Sequence, residues 1–315
     1  MVAERNLVEQ FDQAIDALLS GRPEAARFDP ELATVLVIAA DLRDLPDPNF
    51  KSRLKGELMP TTTEATVATR HTVVPYFVVQ GAADLIDFLK ASFDATELAR
   101  FPRPDGTIMH AAVSIGDSII EMGDSSPQYK SLAFGIHIYV ADCDAVYERA
   151  LSAGGTSLHE PMDQFYGERS AAVRDRFGNH WYIATWLQGG PIRPGFRTIT
   201  PYFHPEGADG LLEFIKQAFD ATEFEEVHRS PEGKIAHATL QIGDSLIELG
   251  EAHDQWQSMK MQMHVYVDNC DAAWERAVRA GAQTVQPPGD RPYGERNAWV
   301  TDAFGNQWFI ATPKE

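Results

Sequence analysis

Phe93-Asp94-Ala95-Thr96-Glu97 returns as Phe219-Asp220-Ala221-Thr222-Glu223, and Ile115-Gly116-Asp117-Ser118 returns as Ile242-Gly243-Asp244-Ser245. Upstream, Pro75-Tyr76-Phe77 meets Pro201-Tyr202-Phe203. Downstream, Tyr166-Gly167-Glu168-Arg169 meets Tyr293-Gly294-Glu295-Arg296, and Phe177-Gly178-Asn179 meets Phe304-Gly305-Asn306. The offset is 126 residues at first and 127 after a one-residue insertion near the Asp105-Gly106 turn. A period this long marks a duplicated domain rather than a solenoid repeat. One copy occupies residues 72–186 and the other 198–313, and Gly189-Gly190-Pro191-Ile192-Arg193-Pro194-Gly195 places a linker over 187–197.

Local signals alternate in kind inside each copy. Val73 to Val79 and Thr198 to Phe203 are short strand-like runs. Leu85, Ile86, Leu89 and Phe93 then fall at helical spacing. Glu97 to Phe101 and His110 to Ile115 read as strands around the Pro104-Asp105-Gly106 turn, and Gly116-Asp117 turns into a strand from Ser118 to Met122. A second round follows: a strand from Gly135 to Val140, then a helix with Cys143, Val146, Tyr147 and Ala150 on one face. Gly154-Gly155 stops that helix, and strands follow near Ser170 to Arg174 and His180 to Thr185. Each copy is therefore βαβββ written twice, an α+β pattern. Each is expected to form an eight-stranded curved sheet with two helices, and the two copies to superpose.

Residues 1–60 differ from the repeats. Leu7, Val8, Phe11, Ile15, Leu18 and Leu19 share one helical face, Leu32, Val35, Leu36, Ala39 and Leu42 a second, and Phe50, Leu54 and Leu58 a third. This stretch reads as a helical N-terminal module that packs on the repeats or on a second chain. Its apolar faces, or the domain faces, are the candidate homodimer contacts.

Composition narrows the function classes. A formal net charge of −19 repels phosphate backbones and anionic lipid, so neither nucleic acid nor membrane is an expected partner. No apolar run is long enough to span a bilayer, and Met1-Val2-Ala3-Glu4-Arg5 does not open a signal peptide, which points to the cytoplasm. Cys143 and Cys270 fall at equivalent places and read as two buried, reduced thiols.

The doubled βαβββ pattern and the Asp-x-Phe-Gly-Asn turn resemble the vicinal oxygen chelate superfamily of glyoxalases, extradiol dioxygenases and bleomycin-resistance proteins, over nearly all of 72–186 and 198–313. That resemblance implies a U-shaped cleft in which a divalent metal, Zn, Fe, Mn or Ni, takes side chains from four strands. Carried over position by position, the fourth-strand carboxylate becomes Glu121 and Glu248, and the fifth-strand histidine becomes His137 and His264. The first-strand ligand falls on Val74 and Thr200, and the eighth-strand carboxylate on Tyr182 and Phe309. Half the shell is absent in each copy, so no tightly retained metal is expected, and any weak binding should depend on Glu121 with His137 or Glu248 with His264.

If Gly116 and Asp117 form a two-residue turn, Ala112 pairs with Glu121 and His110 lies two residues along on the same face. His110, Glu121, His137, Tyr139 and Tyr182 then line one cleft, and His237, Glu248, His264, Tyr266 and Phe309 the other. The Tyr-Gly-Glu-Arg strings are expected at the cleft rims, with Arg169 bridged to Glu168. Two functions remain open: a small-molecule site with metal-assisted lyase, isomerase or dioxygenase chemistry, in which Glu121 and Glu248 are the catalytic candidates, or a non-catalytic protein that sequesters a drug or metabolite. A third reading makes one copy a scaffold for the other.

Overall fold

The computed structural model describes residues 71–254 and 256–314. The helical module expected over 1–60 lies outside the described residues. The first repeat runs β1 (Val73–Val79), α1 (Ala82–Phe93), β2 (Thr96–Pro102), β3 (Ile108–Ile115) and β4 (Ser118–Asp124), then β5 (Gly135–Tyr139), α2 (Cys143–Ser152), β6 (Thr156–Asp163), β7 (Glu168–Arg174) and β8 (His180–Trp186). The second runs β9 (Ile199–Phe203), α3 (Ala208–Phe219), β10 (Thr222–Glu223), β11 (His228–Arg229), β12 (Ile235–Ile242) and β13 (Ser245–Leu249). It continues with β14 (Gln262–Tyr266), α4 (Cys270–Arg279), β15 (Gln283–Arg291), β16 (Glu295–Thr301) and β17 (Gln307–Pro313). The short strands β10 and β11 replace the single β2 of the first repeat.

The α+β class and the two open curved sheets, each a pair of βαβββ units, are as the sequence indicates. The pairing of the units is not. One sheet has the order β15-β16-β17-β14-β1-β4-β3-β2, and the other β10-β12-β13-β9-β5-β8-β7-β6, with β11 beside β12. Each sheet joins the first half of one repeat to the second half of the other, so neither repeat closes a sheet alone. Strand order is nevertheless the same in both sheets.

The Gly-Asp-Ser turns tie the two crossed sheets together. Asp117 accepts from the Thr198 amide at 2.9 Å, and the Ser118 hydroxyl from the Ile199 amide at 3.1 Å. Reciprocally, Asp244 accepts from Thr72 at 2.8 Å and Ser245 from Val73 at 2.9 Å. Each turn thus clamps the first strand of the opposite repeat. Gly116 and Gly243 have φ of +57° and +56°, and a Cβ at either would collide with the hydroxyl of Thr198 or Thr72.

Helix packing, by contrast, stays within a repeat. α1 lies against α2 and α3 against α4. Phe77 and Phe93 pack on Trp181 with ring centroids 5.8 and 4.9 Å apart, and Phe203 and Phe219 repeat this on Trp308 at 5.7 and 4.9 Å. The Asp-x-Phe-Gly-Asn turns hold these tryptophans: Asp175 and Asp302 each accept from the indole nitrogen at 3.0 Å and from the turn's own Asn. Cys143 and Cys270 are free and buried, as expected, with each thiol directed at a backbone carbonyl. Residues on alternate positions of the central strands face away from this core, and these two faces of the open curved sheets are the candidate clefts.

Candidate functional site

Strand register decides which side chains meet. In the first sheet Tyr76 lies opposite Glu121, Val74 opposite His264, and His264 opposite Phe309. Ala112 pairs with Glu121 as the turn predicts, which leaves His110 on the same face. Cleft one therefore collects His110 and Glu121 from the first repeat with His264, Tyr266 and Phe309 from the second. Cleft two collects His237 and Glu248 from the second repeat with His137, Tyr139 and Tyr182 from the first. The ten expected lining residues fall into two groups that share a sheet face, but His137, Tyr139 and Tyr182 exchange places with His264, Tyr266 and Phe309. The expected pairs Glu121–His137 and Glu248–His264 are corrected by the crossed sheets to Glu121–His264 and Glu248–His137.

Each floor is a buried imidazole between two carboxylates. His137 Nδ1 lies 2.8 Å from Glu248, and its Nε2 lies 3.6 Å from Glu168. His264 Nδ1 lies 3.0 Å from Glu121, and its Nε2 lies 3.6 Å from Glu295. Burial alone would push these imidazoles toward neutrality. The flanking carboxylates outweigh it and raise both His137 and His264 to about 9. For Glu248, burial acts upward, and the His137 charge and hydrogen bond overturn it, leaving the carboxyl below its ordinary value. Both floors thus carry an imidazolium at neutral pH. Tyr139 donates to Glu168 at 2.5 Å, whereas Tyr266 donates to Glu121 at 3.4 Å and lies 3.0 Å from His264.

Glu168 and Glu295 belong to the floor, not to a rim. They open β7 and β16 and are buried, while the arginines beside them point elsewhere: Arg169 pairs with Asp144 and Asp163, and Arg296 with Asp271 and Asp290. The expected Arg169–Glu168 bridge is therefore replaced by ion pairs to α2 and β6. Parity along β7 was the available signal, because Glu168, Ser170 and Ala172 share a face.

The walls are aromatic and unlike. In cleft one Tyr76 meets Phe309 edge-on at 5.5 Å, and Trp299 contacts Phe309 at 5.4 Å and stacks on Tyr129 at 5.1 Å. In cleft two Tyr182 contacts Tyr202 and Trp256, and its hydroxyl lies 2.9 Å from His204 Nε2. Burial, helped by neighbouring His180, lowers His204 to about 3, and burial lowers His180 to about 4, so this wall is neutral. Residues Val78, Ala172 and Gln307 hold the places of His204, Trp299 and His180 in the opposite repeat.

The four-strand metal shell that the resemblance implies does not fit these floors. Its first-strand position is Val74 or Thr200, its eighth-strand position is Phe309 or Tyr182, and each histidine commits Nδ1 to a glutamate. Among the described residues, no three His, Cys, Asp or Glu side chains are arranged to hold one ion. Nor, among them, is any helix long and apolar enough to cross a membrane.

Comparison with known proteins agrees with this architecture. Over 130 residues the chain is 40% identical to an uncharacterized protein of Mycobacterium tuberculosis, covering 38% of this chain and 74% of that one. An uncharacterized Mycobacterium bovis protein is likewise 40% identical over 130 residues, with 82% of its length covered. Glyoxalase I from Zea mays superposes with a TM-score of 0.61 at 15% identity, over 76% of this chain and 92% of that one, a likeness of fold. The family model for the Glyoxalase/Bleomycin resistance protein/Dioxygenase superfamily matches residues 69–183 and 208–310, so the chain belongs to that superfamily.

Proposed function

We propose that the protein binds small, flat organic molecules in its two clefts and that it does so without a resident metal. The observation that carries this reading is the floor itself, two carboxylates around one imidazolium beneath aromatic walls. Convergent polar groups under an apolar wall are the usual make-up of a small-molecule pocket. The strongly acidic chain, with a formal net charge of −19, favours a neutral or weakly cationic ligand and disfavours a phosphorylated one. Metal-assisted lyase, isomerase or dioxygenase chemistry is the weaker reading, because Val74 and Phe309 offer no ligand atom in cleft one, and Thr200 and Tyr182 in cleft two replace the histidine and carboxylate of the implied shell by neutral hydroxyls.

The test is a screen of flat organic molecules against chelator-dialysed protein, read by thermal unfolding. A ligand at 100 times its Kd should add about 2.7 kcal/mol of stability. Glu121→Gln should weaken binding in cleft one only, and Glu248→Gln in cleft two only. Stoichiometric metal surviving dialysis, or ligand binding indifferent to both substitutions, would overturn the proposal.

A further inference from the structure

Trp299 is 5% exposed, and its indole nitrogen is buried without a hydrogen-bond partner. Buried donors are seldom left unmade without a use. Trp299 lies on the cleft side of β16, opposite Phe309, which is itself opposite His264. His264 Nε2 is a second buried nitrogen with no hydrogen bond, standing 3.6 Å from Glu295. Cleft one thus carries two N–H groups flanking the Phe309 ring. Cleft two has Ala172 where cleft one has Trp299.

We infer that cleft one selects a flat, uncharged ligand bearing an oxygen that accepts a hydrogen bond from Trp299 Nε1, a donor that cleft two lacks. The inference rests on the binding function proposed above. A carbonyl or lactone oxygen suits the site, because it accepts without adding negative charge beside Glu121 and Glu295. Tyr129 lies on the segment joining β4 to β5, half-buried, with its ring within 15° of parallel to Trp299.

The test uses two bicyclic probes of similar size, coumarin and 2H-chromene, which differ at the carbonyl carbon. Both are titrated calorimetrically into the full chain after chelator dialysis. Coumarin should bind about tenfold tighter, the size of one well-made hydrogen bond. Trp299→Phe should erase that difference, so that within the variant the two probes bind with equal affinity, whatever the change common to both. Infrared spectroscopy of the bound wild type supplies a readout that needs no variant: the coumarin carbonyl stretch should fall below its position in an apolar solvent. Equal binding of the two probes, or a carbonyl stretch at its apolar-solvent position, overturns the inference and leaves the binding function standing. Failure of both probes to bind removes cleft one as a site for flat ligands, and the inference falls with it.

Discussion

Clefts one and two share a floor and differ in their walls. Both hold an imidazolium between two buried glutamates, Glu121–His264–Glu295 in one and Glu248–His137–Glu168 in the other. Above that floor, cleft one presents Phe309, Trp299 and Tyr129, while cleft two presents Tyr182, His204 and Trp256. A buried charged triad cannot lose one member cheaply, because the remaining charges stay desolvated. An aromatic wall residue can be exchanged for another at small cost. Duplication therefore leaves the floors alike and lets the walls diverge, and in the proposed function the divergence sets ligand choice.

The largest expected effect follows from that contrast. His137→Leu should destabilise the protein by about 3–5 kcal/mol in urea unfolding, since it strands Glu248 and Glu168 without their cation. His264→Leu should do the same in cleft one. A loss near zero would mean that the floors are not charged. A second experiment breaks the comparison differently, by separating the repeats within the 187–197 linker. Each piece retains its helix pair and its tryptophan core but exposes the open edges of β1 and β5, or of β9 and β14. Sedimentation should find each piece self-associated, and a mixture of the two should recover the unsplit protein's hydrodynamic size. A monomeric, fully folded single repeat would contradict the crossed sheets.

Solution pH offers a gentler probe. Each floor histidine is raised in the folded protein to about 9, from an ordinary value of 6.5. The stability it contributes is fully present below the unfolded value and declines as pH rises through the folded one. Unfolding free energy should therefore fall between pH 6.5 and 9, and His137→Gln with His264→Gln should flatten that slope. His204 and His180 are lowered instead, to about 3 and 4, so protonation of this wall favours unfolding. Acidification below 6.5 should cost stability through cleft two, and His204→Val, which restores the residue found in cleft one, should reduce that loss. The smallest effect is expected for Tyr182→Phe. It gives cleft two the wall residue of cleft one and removes the hydroxyl bonded to His204, for about 0.5–1.5 kcal/mol in the same unfolding assay.

Much of this architecture is legible in the chain. The repeated turns and alternating apolar positions give the βαβββ units, and parity puts His110 with Glu121 on one face. Which unit pairs with which is not legible, because Gly135-Ile136-His137-Ile138-Tyr139 and Gln262-Met263-His264-Val265-Tyr266 share one pattern. Either could lie beside β1 with the same alternation of buried faces. Glu168 and Glu295 escape notice for another reason: the Tyr-Gly pair before each reads as loop and hides the first residue of a strand. Tyr129 and Trp256 lie on connecting segments without periodicity, where spacing carries no information about the face a side chain meets.

Crossed pairing is the claim on which both clefts depend, and a set of double-mutant cycles tests it most directly. Glu121→Gln and His264→Gln should couple, as should Glu248→Gln and His137→Gln, with interaction energies of about 0.5–3 kcal/mol in urea unfolding. Glu121→Gln and His137→Gln, drawn from the same repeat, should be additive within about 0.5 kcal/mol. Coupling of Glu121 to His137, with additivity between Glu121 and His264, would contradict the account.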